Sequence, residues 1–290
     1  MPGLGVWVQG ARVRTLPAAI APVLVGTGAA AWAGSASLLR AALAALVALA
    51  LQVGVNYAND YSDGIRGTDA QRVGPTRLTA TGAVSPGTVK RAAFASFGVA
   101  GIAGLVLCVL AGAWWLIGVG VLCVIAAWYY TGGSSPYGYA GLGEVAVMVF
   151  FGYVATLGTT YTQALSINAP ALLGATGVGL LSCAILMANN IRDIATDIPA
   201  GKKTLAVRLG DGRARTAYAL MVAVAIASGA LVAIWEPWAL VVTALAIPGL
   251  LLARRVIAGA HGPDLIKVLA GTGMLVLGFG VLLGGALILG

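Results

Sequence analysis

Two stretches of this sequence, far apart along the chain, carry the same pattern of amide and carboxylate side chains. In the first, Asn56, Asp60 and Asp63 follow the apolar run 41–55 and are spaced i, i+4 and i+7. If that run is a helix, the three side chains share one face. Their oxygen atoms are hard ligands, which suit Mg²⁺ better than zinc or copper. The stretch therefore predicts a metal-binding cluster at the end of an apolar helix.

The second stretch repeats this arrangement. Asn189, Asp193 and Asp197 are spaced i, i+4 and i+8, and they follow the apolar run 171–188. Carboxylates gathered at one face of a membrane repel one another, and bound divalent cations remove that cost. Because an unusual pattern occurs twice, we expect the two clusters to form one Mg²⁺ site. Mn²⁺ would suit the same ligands.

Basic residues accompany both clusters. Arg72 and Arg77 follow the first, and Arg192, Lys202 and Lys203 lie within or after the second. Cationic side chains bind phosphate oxygens, and Mg²⁺ commonly shares its coordination with substrate phosphates. An alternative interpretation is that these charges only set the membrane topology or contact anionic lipids. The residues alone suggest a metal-bridged diphosphate at the membrane surface, with the lipid part of the substrate lying among the helices.

The composition indicates which elements must position these residues. The chain is 60% hydrophobic and only 9% charged, whereas soluble domains are about 25% charged. So much apolar surface can be hidden only in lipid, where helices satisfy their own backbone groups. We predict an all-α polytopic membrane protein, a single domain over 1–290. Its nine predicted transmembrane helices cover 15–33, 38–59, 90–110, 113–130, 142–163, 169–190, 214–234, 237–253 and 266–289.

The basic residues also predict an orientation. If the N-terminus is cytoplasmic, Arg40 is the one residue among the 17 Lys and Arg that falls on the outer side. The positive-inside rule selects this topology, which places both Asp clusters on the cytoplasmic face of a bacterial plasma membrane. The clusters follow the second and sixth spans, four spans apart. This spacing indicates a weak internal repeat with one extra helix at the C-terminus.

A metal-bound diphosphate beside aromatic residues has a recognisable chemical use. An allylic diphosphate ionises when cations neutralise its leaving group. The resulting carbocation needs a dry pocket and an electron-rich acceptor such as an aromatic ring, and tyrosine faces stabilise it. Tyr137 and Tyr139 lie between the fourth and fifth spans, near a predicted cytoplasmic helix end. Glu144 is open to two interpretations, an acceptor-side polar group or an acid at the level of the lipid headgroups.

Several motifs together resemble a known family. They are NDYSDG at 59–64, GPTR at 74–77, YTGGSSPYGYAGLGE at 130–144, NNIRD at 189–193 and GKKTLA at 201–206. With the paired Asn-x-x-x-Asp motifs, the chain resembles the UbiA superfamily of intramembrane aromatic prenyltransferases. Within that superfamily it is most similar to the menaquinone-pathway branch, the 1,4-dihydroxy-2-naphthoate polyprenyltransferases. The resemblance covers essentially the whole chain.

The resemblance implies that a polyprenyl diphosphate ionises over Mg²⁺ and that the naphthoate ring attacks the allylic carbon, with loss of carbon dioxide. It implies that Mg²⁺-diphosphate is held by Asn56, Asp60, Asp63, Asp193 and Asp197, supported by Asn189. Arg77 and Lys202 would then bind phosphate, and Tyr137 and Tyr139 would contact the acceptor. The loop 131–139 has no basic residue, unlike other branches. We therefore expect phosphate binding to fall to Arg77, Lys202 or Arg192.

Other function classes explain the pattern less well. The same donor chemistry with another aromatic acceptor, such as 4-hydroxybenzoate or homogentisate, is the main alternative. A CDP-alcohol phosphotransferase would carry its Asp motif within one short stretch, whereas Asp60 and Asp193 are 133 positions apart. A transporter would carry its ionisable residues near the membrane midplane, and here nearly all acids are predicted at one face.

Overall fold

The computed structural model describes residues 3–67 and 77–290, and within these residues every regular element is helical. The helices in chain order are α1 (Leu4–Ala11), α2 (Pro17–Trp32), α3 (Leu38–Arg66), α4 (Pro86–Ala111), α5 (Leu116–Tyr129), α6 (Gly143–Ala164), α7 (Ala169–Asp197), α8 (Leu205–Leu209), α9 (Asp211–Ile234), α10 (Pro237–Ile257) and α11 (Pro263–Leu289). Short 3₁₀ turns occur at Val13–Thr15 and Tyr137–Ala140. The all-α prediction is confirmed.

Each of the nine predicted spans corresponds to one of these helices, but the count of membrane crossings is approximate. Among the described residues, seven helices are long and apolar enough to cross a bilayer alone. An eighth crossing results if Leu4–Thr15 and Pro17–Trp32, which meet at a bend of 51°, form one span. Helix α5 is apolar but has only 14 residues, fewer than the roughly 20 that a bilayer core requires.

Small residues allow α2 and α11 to pack closely. A Cβ placed on Gly28 would lie 2.6 Å from the carbonyl oxygen of Gly284, and one on Gly280 would lie 2.8 Å from the Cα of Ala21. Interfaces of this kind are typical of membrane helices, which gain stability from close backbone packing. Helix α7 packs against α2, α9 and α11, and it contributes many of the fully buried side chains. The second metal motif therefore lies on the most enclosed helix.

Helices α3 and α7 support the predicted internal repeat. Both have 29 residues, and each begins with a side-chain cap, in which Ser37 Oγ accepts from Arg40 N and Asn168 Oδ1 accepts from Ala171 N. Both continue beyond the predicted limits of 59 and 190, ending at Arg66 and Asp197. The Asp clusters consequently lie on the last helical turns.

Candidate active site

A polar cavity of about 710 Å³ lies between the last turns of α3 and α7. The α1–α2 connection and the Tyr137–Ala140 turn close it on two sides. The charged or amide side chains of the two motifs and their neighbours line it: Asn59, Asp63, Arg77, Asn189, Arg192, Asp197 and Lys202. The fold therefore brings together the two stretches that the sequence singled out. Arg72 lies outside the described residues.

The α3 side of the cavity presents Asn59 and Asp63, one helical turn apart. The Tyr139 hydroxyl donates a hydrogen bond to Asp63 Oδ1. Thr131 Oγ1 donates to Asn59 Oδ1 at 2.8 Å. Asp63 is only 3% exposed, so protein groups surround most of its carboxylate. The loop between α5 and α6 thus orients both α3 ligand candidates.

Tyr139 also connects the two motifs. Its ring centroid lies 4.6 Å from Lys202 Nζ, a cation–π contact, and Lys202 Nζ lies 3.8 Å from Asp197 Oδ1. The backbone N–H of Lys203 donates to the carbonyl of Tyr139 at 2.8 Å, which fixes the turn against the segment after α7. A continuous series of contacts therefore runs from Asp63 through Tyr139 and Lys202 to Asp197.

Arg192 and Asp193 form a close pair on α7. Arg192 Nε and Nη2 donate to the two carboxylate oxygens of Asp193 at 2.7 and 2.8 Å, and Nη2 also donates to Asn189 Oδ1 at 2.8 Å. Such paired, charge-assisted contacts fix both orientation and charge. With Asp193 4% exposed, this arrangement keeps a buried carboxylate beside an arginine that can also bind a phosphate oxygen.

Asp60 is placed differently from the sequence-based expectation. Its carboxylate accepts hydrogen bonds from the backbone N–H groups of Leu78 and Thr79, each at 2.9 Å. The residue is fully buried and is not among those lining the polar cavity. The carboxylate of Asp60 therefore anchors the loop after α3, and its role as a metal ligand stays a prediction.

Asn56 also differs from the expectation. Its Nδ2 donates to the carbonyl of Ala11 at 2.9 Å and to Thr15 Oγ1 at 3.1 Å. It thereby joins α3 to the α1–α2 connection and lines a second, apolar cavity instead of the polar one. Asn59, which the sequence reasoning did not select, is the α3 asparagine that lines the polar cavity. Its signal was available, since Asn59 precedes Asp63 by four residues just as Asn189 precedes Asp193.

Tyr137 lines the apolar cavity, and its hydroxyl is not directed at the polar one. The hydroxyl donates to the carbonyl of Ala126 at 2.7 Å, and the ring packs edge-on against Tyr130 with 5.5 Å between centroids. Burial raises the pKa of Tyr137 to about 12, which keeps the phenol protonated as a donor. Of the two tyrosines predicted to contact the acceptor, Tyr137 therefore supports α5 and Tyr139 supports Asp63.

The apolar cavity has a volume of about 630 Å³ and is enclosed by α2 to α6. Its lining is largely aliphatic, with alanine and glycine at many positions. Asn59, Tyr130 and Phe151 line this cavity and the polar one, and so do Ala18, Gln52 and Val147. A charged compartment therefore adjoins an apolar compartment, which is the shape required by a substrate with an anionic head and a hydrocarbon chain.

The side chains present fit a divalent cation that shares its coordination with phosphate. Within residues 3–67 and 77–290, no three His, Cys, Asp or Glu side chains group closely enough to complete a metal site alone. The polar cavity instead offers amide and carboxylate oxygens from two helices, with basic side chains beside them. Mg²⁺ is commonly bound by one or two carboxylates plus substrate phosphates. The donor set therefore suits a metal–diphosphate complex better than a bare ion.

Sequence comparison places this site in a known group of membrane proteins. A model of the UbiA prenyltransferase family matches residues 19–270. A 1,4-dihydroxy-2-naphthoate octaprenyltransferase of Mycobacterium tuberculosis is 53% identical over 284 residues, covering 98% of this chain and 97% of the relative. The Escherichia coli protein of the same name is 41% identical over 221 residues, covering 74% and 72% of the two chains.

Two solved structures share the fold. A UbiA homolog from Aeropyrum pernix K1, in its apo form, superposes with a TM-score of 0.72 at 18% identity, covering 96% of this chain and 98% of its own. A UbiA homolog from Archaeoglobus fulgidus bound to GPP and Mg²⁺ gives 0.72 at 16% identity, covering 98% and 100%. The resemblance drawn from the sequence motifs is confirmed. The chain is a multi-pass membrane protein that belongs to the UbiA prenyltransferase family.

Proposed function

We propose that the protein transfers a polyprenyl group from a polyprenyl diphosphate to 1,4-dihydroxy-2-naphthoate, with release of carbon dioxide and diphosphate. The product would be demethylmenaquinol, an intermediate of menaquinone biosynthesis. One observation carries the proposal: residues of two Asn/Asp motifs and several basic side chains meet in a polar cavity that adjoins an apolar one. The names of relatives that are 41–53% identical support the choice of acceptor.

The proposed donor site uses residues that line the polar cavity, together with Asp193, which is paired with the lining residue Arg192. Asn59 and Asp63 on α3 and Asn189, Asp193 and Asp197 on α7 would hold Mg²⁺. When bound, Mg²⁺ would neutralise charge on the departing diphosphate. Arg77, Arg192 and Lys202 would bind phosphate oxygens, because Arg77 and Lys202 are largely buried in the cavity wall and Arg192 lies between Asn189 and Asp193. A diphosphate held this way places its prenyl chain toward the apolar cavity.

The group transfer balances without a catalytic base. The allylic C–O bond breaks, and both electrons leave with the diphosphate. The ring carbon that bears the carboxylate donates an electron pair to the allylic carbon and forms the new C–C bond. Carbon dioxide then leaves, and the electrons of the C–carboxylate bond restore the aromatic ring. No proton is removed from the ring carbon, so the site has to bind, orient and exclude water.

The membrane placement follows the distribution of charge. Arg40 contacts the carbonyl of Leu110 at the C-terminal end of α4 and those of Thr162 and Gln163 at the end of α6. These helix ends lie at the opposite end of the bundle from the Asp motifs. We infer from the remaining basic residues that the N-terminus and the site face the cytoplasm at a bacterial plasma membrane. Soluble 1,4-dihydroxy-2-naphthoate would then enter from the cytoplasm and the polyprenyl chain from the lipid.

The experiment measures prenyl transfer by purified protein in detergent, with 1,4-dihydroxy-2-naphthoate labelled in its carboxyl carbon, a polyprenyl diphosphate and Mg²⁺. We expect labelled carbon dioxide in proportion to prenylated product, and loss of both with EDTA or with Asp63→Ala or Asp193→Ala. Asp264→Ala is the matched control, because Asp264 is an exposed acid that pairs with exposed Lys267 and does not line the polar cavity. We expect its activity to be that of the wild type.

The outcomes separate the donor chemistry from the acceptor. Turnover with 4-hydroxybenzoate or homogentisate, but none with the naphthoate, would keep the donor site and reject the proposed acceptor. Full activity in EDTA, or in both Asp63→Ala and Asp193→Ala, would reject the metal–diphosphate site.

A further inference from the structure

Two buried polar atoms that have no hydrogen-bond partner among the described residues belong to side chains that line the polar cavity. They are Oε1 of Gln52 on α3 and Oγ of Ser182 on α7. Gln52 is 7% exposed and Ser182 is 5% exposed. Buried polar groups are nearly always hydrogen-bonded, so an unpaired one that lines a cavity indicates a ligand or water that completes it.

The orientation of the Gln52 amide follows from its neighbours. Thr15 Oγ1 donates its hydrogen to the carbonyl of Arg12 at 2.9 Å, so its lone pairs must accept from other groups. Gln52 Nε2 donates to Thr15 Oγ1 at 2.8 Å. If the amide were flipped, Gln52 Oε1 would face Thr15 Oγ1, and neither oxygen would have a hydrogen to donate to the other. Oε1 is therefore the amide atom left without a partner, and it can only accept a hydrogen bond.

Ser182 differs from other buried hydroxyls on the helices. Ser228 Oγ donates to the carbonyl of Ala225 at 2.8 Å, and Thr272 Oγ1 donates to that of Val268 at 2.8 Å. Each of these groups is satisfied by its own helix. Ser182 Oγ makes no such bond within the described part of the chain. Its hydrogen therefore remains available to a ligand.

The two residues occupy equivalent positions in the internal repeat. Gln52 precedes Asn59 by seven residues, and Ser182 precedes Asn189 by seven. Seven residues span about 10 Å along a helix, so both lie two turns deeper in the membrane than the proposed metal ligands. Gln52 also lines the apolar cavity. The pair therefore lies where the charged and apolar compartments meet, beside the expected path of the allylic carbon.

We propose that Gln52 and Ser182 bind the aromatic acceptor, a hydroxylated bicyclic aromatic acid, and so act as its positioning and specificity-determining residues. Gln52 Oε1 accepts a hydrogen bond from a ring hydroxyl, and Ser182 Oγ donates one to an oxygen of the carboxylate or of the second hydroxyl. This inference rests on the proposed function. It replaces Tyr137 and Tyr139 as acceptor contacts, because both of their hydroxyls donate to protein groups.

Neutral partners suit the chemistry of this acceptor. During attack on the allylic carbon, positive charge spreads into the ring and onto its hydroxyl oxygens, so the O–H group becomes a stronger donor. A hydrogen bond to Gln52 then strengthens in the transition state, which is the condition for catalysis. The Gln52 amide and the Ser182 hydroxyl are too weakly basic to remove a proton from the acceptor. No such removal is needed, because carbon dioxide leaves the attacked ring carbon in place of a proton.

The test compares Gln52→Met and Ser182→Ala with the wild type in steady-state prenyl transfer. We expect the KM for 1,4-dihydroxy-2-naphthoate to rise about fivefold to tenfold in each variant, the effect of losing one buried hydrogen bond. In Gln52→Met, kcat should also fall, because its hydrogen bond strengthens in the transition state. The KM for the polyprenyl diphosphate should stay within about twofold. Competitive inhibition by 1-hydroxy-2-naphthoate and 4-hydroxy-2-naphthoate identifies the hydroxyl. The analogue that lacks the Gln52-bound hydroxyl should inhibit wild type and Gln52→Met equally.

Ser228→Ala is the matched control, since it removes a hydroxyl of equal burial whose hydrogen bond lies within its own helix. It should leave both KM values unchanged. Ser182→Ala removes only an atom that has no protein partner, so folding should be preserved and the variant is informative even if Gln52→Met is unstable. An unchanged acceptor KM in Ser182→Ala, or equal rises for acceptor and polyprenyl diphosphate in Gln52→Met, would overturn the assignment. A wild type that does not prenylate the naphthoate would instead reject the proposed function.

Discussion

Asp60 and Asp63 are three residues apart, yet their surroundings give them different tasks. Asp60 accepts two backbone N–H groups of the loop after α3, whereas Asp63 faces the polar cavity and accepts the Tyr139 hydroxyl. We expect Asp60→Ala to lower the free energy of unfolding by about 1–3 kcal/mol for each N–H left without an acceptor. Asp63→Ala removes the charge-assisted hydrogen bond from Tyr139 and should lower that free energy by about 1.5–3 kcal/mol.

Thermal unfolding in detergent, with and without Mg²⁺ and a polyprenyl diphosphate, measures both effects. A ligand that binds only the folded state raises the unfolding temperature. Asp63→Ala should lose this rise. In Asp60→Asn, which retains one acceptor oxygen, the rise should persist. The assignment of Asp60 as a loop anchor fails if Asp60→Asn abolishes the ligand-dependent rise while the unfolding temperature without ligand is unchanged.

Tyr139 offers a second prediction at the level of single atoms. Tyr139→Phe removes the hydroxyl that donates to Asp63 but keeps the ring that contacts Lys202 and Arg66. A hydrogen bond to a charged group contributes about 1.5–3 kcal/mol. We therefore expect the Mg²⁺ concentration for half-maximal activity to rise about tenfold or more, whereas the KM for the acceptor should change little. If instead the acceptor KM rises and the Mg²⁺ requirement is unchanged, Tyr139 contacts the acceptor as the sequence first suggested.

The helices themselves were largely predictable from sequence, but their ends and rotations were not. Apolar runs indicated α3 and α7, yet both helices continue by seven residues beyond the predicted limits of 59 and 190. The added turns carry side chains whose partners lie in distant parts of the chain. Asp60, for example, accepts a hydrogen bond from the backbone N–H of Leu78. The pairs Asn56/Asp60 and Asn59/Asp63 both have i, i+4 spacing, so spacing alone could not decide which one faces the cavity. Packing against α1 and that loop decides it.

At the opposite end of the bundle, Arg40 joins the ends of two helices. Its Nη2 donates to the carbonyl of Leu110 at 2.6 Å, and Nη1 donates to those of Thr162 and Gln163 at 3.1 and 3.4 Å. These carbonyls lie at helix ends, where backbone acceptors have no partner within their own helix. We expect Arg40→Ala to lower the free energy of unfolding by about 2–4 kcal/mol, since lost hydrogen bonds to a charged donor are costly.

Thermal unfolding in detergent measures this loss, and Arg91→Ala is the matched control. Arg91 is an exposed arginine whose contact is Thr88 Oγ1 at 3.3 Å on the same helix. That change should alter stability by less than about 0.5 kcal/mol. Both variants should keep wild-type KM values, because neither residue lines a cavity. Equal stability of the two variants would mean that Arg40 does not brace α4 and α6.

The whole molecule places an anion-binding compartment against an apolar one, and the apolar cavity should influence which prenyl chains are accepted. Gly158 on α6 lines this cavity, and a Cβ added there would meet open space. Gly158→Phe should therefore fold and fill part of the cavity. Overpacking a cavity costs about 1–3 kcal/mol, which corresponds to roughly a tenfold loss. We expect kcat/KM to decrease by that factor for octaprenyl diphosphate and to stay unchanged for geranyl diphosphate.

Gly98→Phe is the control for this change, because Gly98 on α4 also has open space at its Cβ but lies on an exposed surface outside both cavities. It should leave the ratio of the two kcat/KM values as in the wild type. A short chain occupies only the part of the apolar cavity beside the junction at Gln52 and Asn59, whereas a long chain must also pass Gly158. A uniform loss for both diphosphates in Gly158→Phe would show that α6 had shifted the reacting groups, and the long chain would then have to leave the junction by another route.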